Sequence, residues 1–207
     1  MHITKYSHSC LYVEDQNVSI LIDPGNYSID EGLRPDLFNS LNYLLITHEH
    51  QDHFYIPFIK LVLQKFPEVK IITNQSVSKI LEQENIHTAT ESVRTIYQFD
   101  APHEKALKLP PPINTGFTIM DTLTHPGDSL SYSHSARILA MPIVGSWGST
   151  VACLDKAIEL GVEKVIPIHD WHWRDEAREW YYDMASDYLK SHEILLVPIR
   201  DGIRTEI

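Results

Sequence analysis

Apolar positions in this chain fall mostly into short runs bounded by turn residues, with a few longer stretches at helical spacing. Residues 3–6, 10–14 and 18–22 predict short strands, the last two joined by a turn at Asp15-Gln16-Asn17. The run Ser19-Ile20-Leu21-Ile22 predicts a buried strand that leaves through Asp23-Pro24-Gly25. Residues 36–40 suggest a short helix, and 42–47 a further strand. Between 55 and 66, Ile56, Ile59, Leu63 and Phe66 share one helical face. A strand at 69–73 precedes a helix through Gln83, capped by Asn74 or Ser76, with Val77, Ile80 and Leu81 inward.

The second half repeats the mixture. Strands are predicted at 94–99, 117–124 and 138–143, with an exposed loop from Leu107 to Asn114 around Pro110-Pro111-Pro112. Ser149 or Thr150 caps a helix to Leu160, where Gly161 supplies a left-handed end. A buried strand at 164–168 follows. Residues 174–190 predict an amphipathic helix burying Ala177, Trp180, Tyr181, Met184 and Tyr188, and 194–199 a closing strand. Strand-rich halves with interspersed helices suggest an α/β fold of two sheets between helix layers, an arrangement that periodicity alone does not fix.

Composition narrows the class. At 207 residues with 43% hydrophobic content, one globular domain spanning 1–207 is expected. A formal net charge of −11 with scattered Lys and Arg argues against nucleic acid as the partner. Two cysteines, Cys10 and Cys153, imply no disulfide framework. The N-terminus has no apolar signal core, and no run approaches the ~18 apolar residues of a membrane span, so a cytoplasmic protein is expected.

Candidate chemistry concentrates at Thr47-His48-Glu49-His50-Gln51-Asp52-His53, directly behind the apolar run Tyr43–Ile46. Imidazole nitrogen and carboxylate oxygen are donors for Zn²⁺, Fe²⁺ or Mn²⁺. On extended backbone His48 and His50 point the same way, while Asp52 and His53 follow the bend and can face the other side of a shared centre. The helical zinc motif H-E-x-x-H does not match, since the spacing is H-E-H-x-x-H and Glu49 would point away. Three further donors stand behind predicted strands, each next to Pro or Gly or just behind one: His103 in Ala101-Pro102-His103, Asp128 in His125-Pro126-Gly127-Asp128-Ser129, and His169 in Ile166-Pro167-Ile168-His169-Asp170.

This ordered set, H-x-H-x-D-H, a separate His, H-P-G-D-S and I-P-I-H-D, with the early Asp23 in I-L-I-D-P-G, resembles the metallo-β-lactamase superfamily over about residues 2–170. His8-Ser9-Cys10 with Leu21-Ile22-Asp23-Pro24 looks most like its branch of small metal-dependent hydrolases related to ascorbate-6-phosphate lactonase and N-acyl phosphatidylethanolamine phospholipase D. The resemblance implies a four-layer αββα sandwich of two mixed sheets flanked by helices. It implies one divalent ion on His48, His50 and His103, a second on Asp52, His53 and His169, and Asp128 bridging both. Asp23 would accept a ring N–H from a ligand histidine and orient it. Glu104 stands where Gly or Ser is usual, a carboxylate that could sit at the rim or alter metal preference. His50 stands where diiron relatives carry Glu, which favours zinc, with Mn²⁺ or Fe²⁺ as alternatives.

Two such ions would acidify a bridging water, whose hydroxide attacks an ester, lactone, amide or phosphodiester of a small molecule. Asp52 would orient that nucleophile or relay its proton, and His8 and His125 are candidates for proton transfer. Trp147 and Trp171, with Tyr27 and Tyr55, either line a substrate pocket or pack the core. The alternatives are an iron-dependent oxidative enzyme of the persulfide dioxygenase kind in the same cage, or a scaffold without catalysis.

Overall fold

A computed structural model of the chain describes residues 1–93, 95–107 and 110–207. It divides into two compact units, residues 1–91 with 200–207, and residues 92–199. Among the described residues each carries a six-stranded mixed sheet.

The first unit orders its strands β12-β1-β2-β3-β4-β5, with β1 (His2–Lys5), β2 (Leu11–Asp15), β3 (Val18–Ile22), β4 (Tyr43–Ile46), β5 (Lys70–Thr73) and β12 (Thr205–Glu206). The β1–β2–β3 meander is antiparallel, whereas β3, β4 and β5 run parallel. Parallel strands are buried on both faces, which is why Leu44-Leu45-Ile46 reads as a continuous apolar run instead of an alternating one. Parallel pairing also brings the three carboxyl ends to one edge, so Asp23, Thr47 and Asn74 leave the sheet together. Three helices belong to this unit among the described residues: α1 (Asn26–Asp30), α2 (Ile56–Lys65) and α3 (Gln75–Gln83). Phe58, Ile59 and Val62 of α2 and Val77 and Leu81 of α3 enter a core shared with Leu21, Leu44, Ile46 and Phe38.

The second unit orders its strands β11-β10-β9-β8-β7-β6, with β6 (Ile96–Asp100), β7 (Thr115–Ile119), β8 (Leu123–His125), β9 (Ile138–Pro142), β10 (Lys164–Ile168) and β11 (Leu195–Leu196). Strands β8 to β11 are parallel, and β6 joins through antiparallel β7, so β6, β8, β9 and β10 all point the same way. Helix α4 (Thr150–Leu160) starts where the Ser149 hydroxyl accepts from Ala152 N–H and stops at Gly161, whose φ of +64° is left-handed. With α5 (Asp175–Lys190) it covers a core of Leu139, Met141, Cys153, Ala157, Val165 and Leu189.

Several expected elements differ. The strand expected at 94–99 starts at Arg94, which lies outside the described residues, and the observed strand runs to Asp100. The expected strand 117–124 is a hairpin, because Met120 and Asp121 both adopt positive φ and Thr122 N–H donates to Ile119 C=O. No glycine marks that turn. The helix expected at 36–40 is a single 3₁₀ turn, Pro35–Leu37, and the closing strand at 194–199 shortens to β11. Asn114 is buried instead of exposed. Helix α5 is turned about one residue around its axis: Ala185 and Leu189 are buried, while Trp180, Met184 and Tyr188 are exposed.

Candidate metal centre

In the first unit the ligand loop hangs from β4 and is held by the loop behind β3. Asp23 is fully buried and left-handed at φ +48°. Its Oδ1 accepts Thr47 N–H at 2.8 Å, and its Oδ2 accepts the Thr47 hydroxyl at 2.7 Å and lies 2.8 Å from His53 Nδ1. A carboxylate only accepts, so His53 Nδ1 carries the proton and Nε2 presents a lone pair. The Thr47 hydroxyl has spent its hydrogen on Asp23 and lies 3.0 Å from His48 Nδ1, so it accepts from that nitrogen. His48 Nε2 is thereby left as a lone pair, 3.1 Å from His50 Nδ1. Two ring nitrogens at that distance share either one proton or one cation.

The loop bends at Asp52 because His53 N–H and Phe54 N–H both return to His50 C=O, at 3.0 and 2.8 Å. Gly25 lies under the bend. A Cβ on it would stand 1.8 Å from Asp52 C=O, so no other residue fits that close approach. Asp52 Oδ2 is 3.1 Å from His8 Nε2 and 3.8 Å from His53 Nε2. His8, Asp52 and His53 each offer one ligand atom, all within 4.8 Å of one another. His8 is fully buried in left-handed backbone at φ +48°, with its ring edge-on to Tyr27. Burial, with Asp52 adding to it, raises the Tyr27 phenol pKa. Glu49 faces away and takes the Ser76 hydroxyl, whereas Tyr55 packs on the core.

In the second unit the donors stand behind parallel-running β6, β8 and β10. His103 Nδ1 is 2.6 Å from Glu104 C=O and His169 Nδ1 is 2.5 Å from Val144 C=O. Carbonyls only accept, so both rings present Nε2 as a lone pair when neutral. Asp128 Oδ2 sits 3.1 Å from His169 Nε2 and 3.6 Å from His103 Nε2. A carboxylate oxygen between two lone pairs is repulsive unless a proton or cation lies among them. The donor set therefore fits divalent cations, with imidazole and carboxylate chemistry suited to Zn²⁺, Mn²⁺ or Fe²⁺.

Supports that no motif announces hold these donors. Asn114, 3% exposed, donates from Nδ2 to Ala101 C=O at 2.6 Å and Pro126 C=O at 2.8 Å, tying the loops that carry His103 and Asp128. Asn74 caps α3 with its oxygen and donates from Nδ2 to Thr47 C=O. His169 is strained at φ +65°, and buried Asp170 beside it takes the Tyr182 hydroxyl and the Arg178 guanidinium, 3.1 Å away. Their only sequence signal was a polar residue at a strand end or on the α5 face.

The remaining candidates separate by surroundings. His125 is buried in β8 and its Nδ1 accepts Gly127 N–H at 3.3 Å, a turn-forming bond. Trp147 packs on the core and also stands 5.7 Å from the His169 ring, lying so closely over Gly145 that a Cβ there would meet it at 2.5 Å. Trp171 meets His172 edge-on. An open groove of about 770 Å³, walled by Tyr97, Phe99 and Tyr132, includes none of His103, Asp128 and His169.

Comparison with known proteins bears on the fold and the family. Protein Rv0786c of Mycobacterium tuberculosis is 26% identical over 202 residues, 90% of this chain and 92% of its own. A Parabacteroides distasonis protein assigned to the metal-dependent hydrolases superposes with a TM-score of 0.74 at 20% identity, over 97% of this chain and 93% of that one. Igni18, a metallo hydrolase from the hyperthermophilic archaeon Ignicoccus hospitalis, gives 0.72 at 17% identity over 100% and 98%. At such identities the shared property is the fold. The sequence profile described as "Beta-lactamase superfamily domain" matches residues 2–169, and the chain belongs to that family.

Proposed function

We propose that the protein is a metal-dependent hydrolase of small molecules. In this reading His48, His50, Asp52, His53, His103, Asp128 and His169 together hold two divalent ions, zinc favoured by the imidazole-rich set. One observation carries it: four imidazoles, His48, His53, His103 and His169, have Nδ1 committed to an acceptor, so that Nε2 is left to donate. Bound divalent ions would supply Lewis-acid polarisation of the scissile group and a water acidified towards neutral pH.

The chain's own residues then do the following. Asp52 orients the nucleophile and holds its proton at Oδ2, and His8 Nε2, 3.1 Å away, is the group placed to exchange a proton with that oxygen. Asp23 keeps His53 in the tautomer that presents Nε2. Trp147 walls the His169 side against water.

Metal content decides the centre. The protein purified without added metal should hold two ions per chain, and Asp128→Ala should lower that to one or fewer. Retention of both ions in the variant would sink the bridging role. The zinc-loaded protein should cleave a member of an ester, lactone, amide and phosphodiester panel. Stoichiometric iron with oxygen uptake would overturn the hydrolytic reading in favour of an oxidative one, and a metal-loaded protein that cleaves nothing would favour the scaffold.

A further inference from the structure

The residue after His103 is acidic, and its carboxylate is already engaged. Glu104 Oε1 accepts Leu130 N–H at 3.0 Å and the Ser131 hydroxyl at 2.7 Å. Its backbone carbonyl takes His103 Nδ1 and its backbone N–H donates to Asp128 C=O at 2.9 Å. One residue thus bonds to the His103 ring, to the main chain of Asp128, and to the two residues that follow Ser129. The main-chain bonds are open to any amino acid. The side-chain pair needs an acceptor oxygen at the reach of Glu or Gln, so Gly or Ser cannot form it.

We propose that Glu104 is a positioning residue whose carboxylate fixes the separation of the His103 and Asp128 loops, and so the affinity of the ion they share. The inference rests on the metal centre proposed above. Its side chain acts through Leu130 and Ser131 and does not touch the ion. Without it, Asp128 keeps its Asn114 contact and the Glu104 N–H bond, and Ser131 N–H keeps the Ser129 hydroxyl, but Leu130 and Ser131 lose the two bonds that tie them to the His103 loop. Outer partners of metal ligands typically hold about 10- to 100-fold of affinity.

Zinc competition against a chromophoric chelator, on the full chain, tests this with Glu104→Gln, Glu104→Ala and Ser131→Ala beside the wild type. Glu104→Ala should weaken one zinc equivalent about 10- to 100-fold. Glu104→Gln should restore it, because amide oxygen accepts the same two bonds. Ser131→Ala should weaken the same equivalent, and the Glu104→Ala/Ser131→Ala pair should fall short of the sum. Thermal unfolding of the metal-free proteins is the control: a merely structural role would lower the melting temperature while leaving zinc affinity of the folded protein untouched. Wild-type affinity in Glu104→Ala, or a Gln variant as weak as Ala, would overturn the proposal. If Glu104→Ala does not fold, Ser131→Ala decides by the same criterion. A wild-type chain that takes up no zinc would instead sink the metal centre itself.

Discussion

Asn114 shows how much one side chain can carry when nothing in its neighbourhood advertises it. Behind three prolines it reads as loop, yet its amide satisfies two buried carbonyls on the loops bearing His103 and Asp128. Replacing it with Ala strands both acceptors away from water, and an unsatisfied buried group costs about 1–3 kcal/mol. Asn114→Ala should therefore lose about 2–3 kcal/mol in urea unfolding of the metal-free protein, and a loss within error would show that water replaces the amide. The candidate donors were legible because metal chemistry restricts identity to His and Asp and strand ends restrict position. The roles of Asn114 and Thr47 and the partners of the Glu104 carboxylate were not, since a hydrogen bond across a fold leaves no spacing rule in the chain.

Among elements, α5 separates what periodicity determines from what it leaves open. Its length and helical state were plain from the sequence, and so was its amphipathic character. Two faces one residue apart both satisfied the 3.6 repeat, and the more aromatic one was the wrong choice. Asp170 decides the rotation: a buried carboxylate needs Arg178 and Tyr182, which turns their face inward with Ala185 and Leu189. Of the aromatics, half-buried Tyr181 stacks on Trp173 at 4.3 Å, and exposed Trp180 meets Tyr181 edge-on. Met184→Gln should then change stability by less than about 0.5 kcal/mol, whereas Leu189→Ala should cost about 2–5 kcal/mol. The opposite ranking in chemical denaturation would restore the other face. The β7–β8 hairpin was hidden for a related reason, because Met120 and Asp121 adopt left-handed backbone without the glycine that usually signals it.

For the whole molecule, each unit holds a wholly or partly buried acidic group that prefers to stay protonated. Burial, with Glu104 and Asp128 adding to it, pushes the Cys153 thiol up to about 12 from an ordinary 9.0, and burial chiefly raises the Tyr6 phenol from 10.0 to about 12. Between those ordinary values and about 12 the unfolded chain releases protons that the folded chain keeps, so stability falls as pH rises through that window and is unaffected below it. The melting temperature should decline from pH 9 to 11, and Cys153→Ala should flatten the decline. An unchanged slope in that variant would show that the thiol ionises equally in both states.

The pairing of β12 with β1 reaches beyond the centre. Residues 205 and 206 pair with Ile3 and His2, and Ile207 N–H reaches Met1 C=O. A chain emerging from the ribosome must leave the outer rim of β1 bare while everything between is translated, and a bare rim recruits stray strands. Nascent copies crowded on one messenger would stay sticky until residues 205–207 emerge, and a variant unable to make that pairing would remain so.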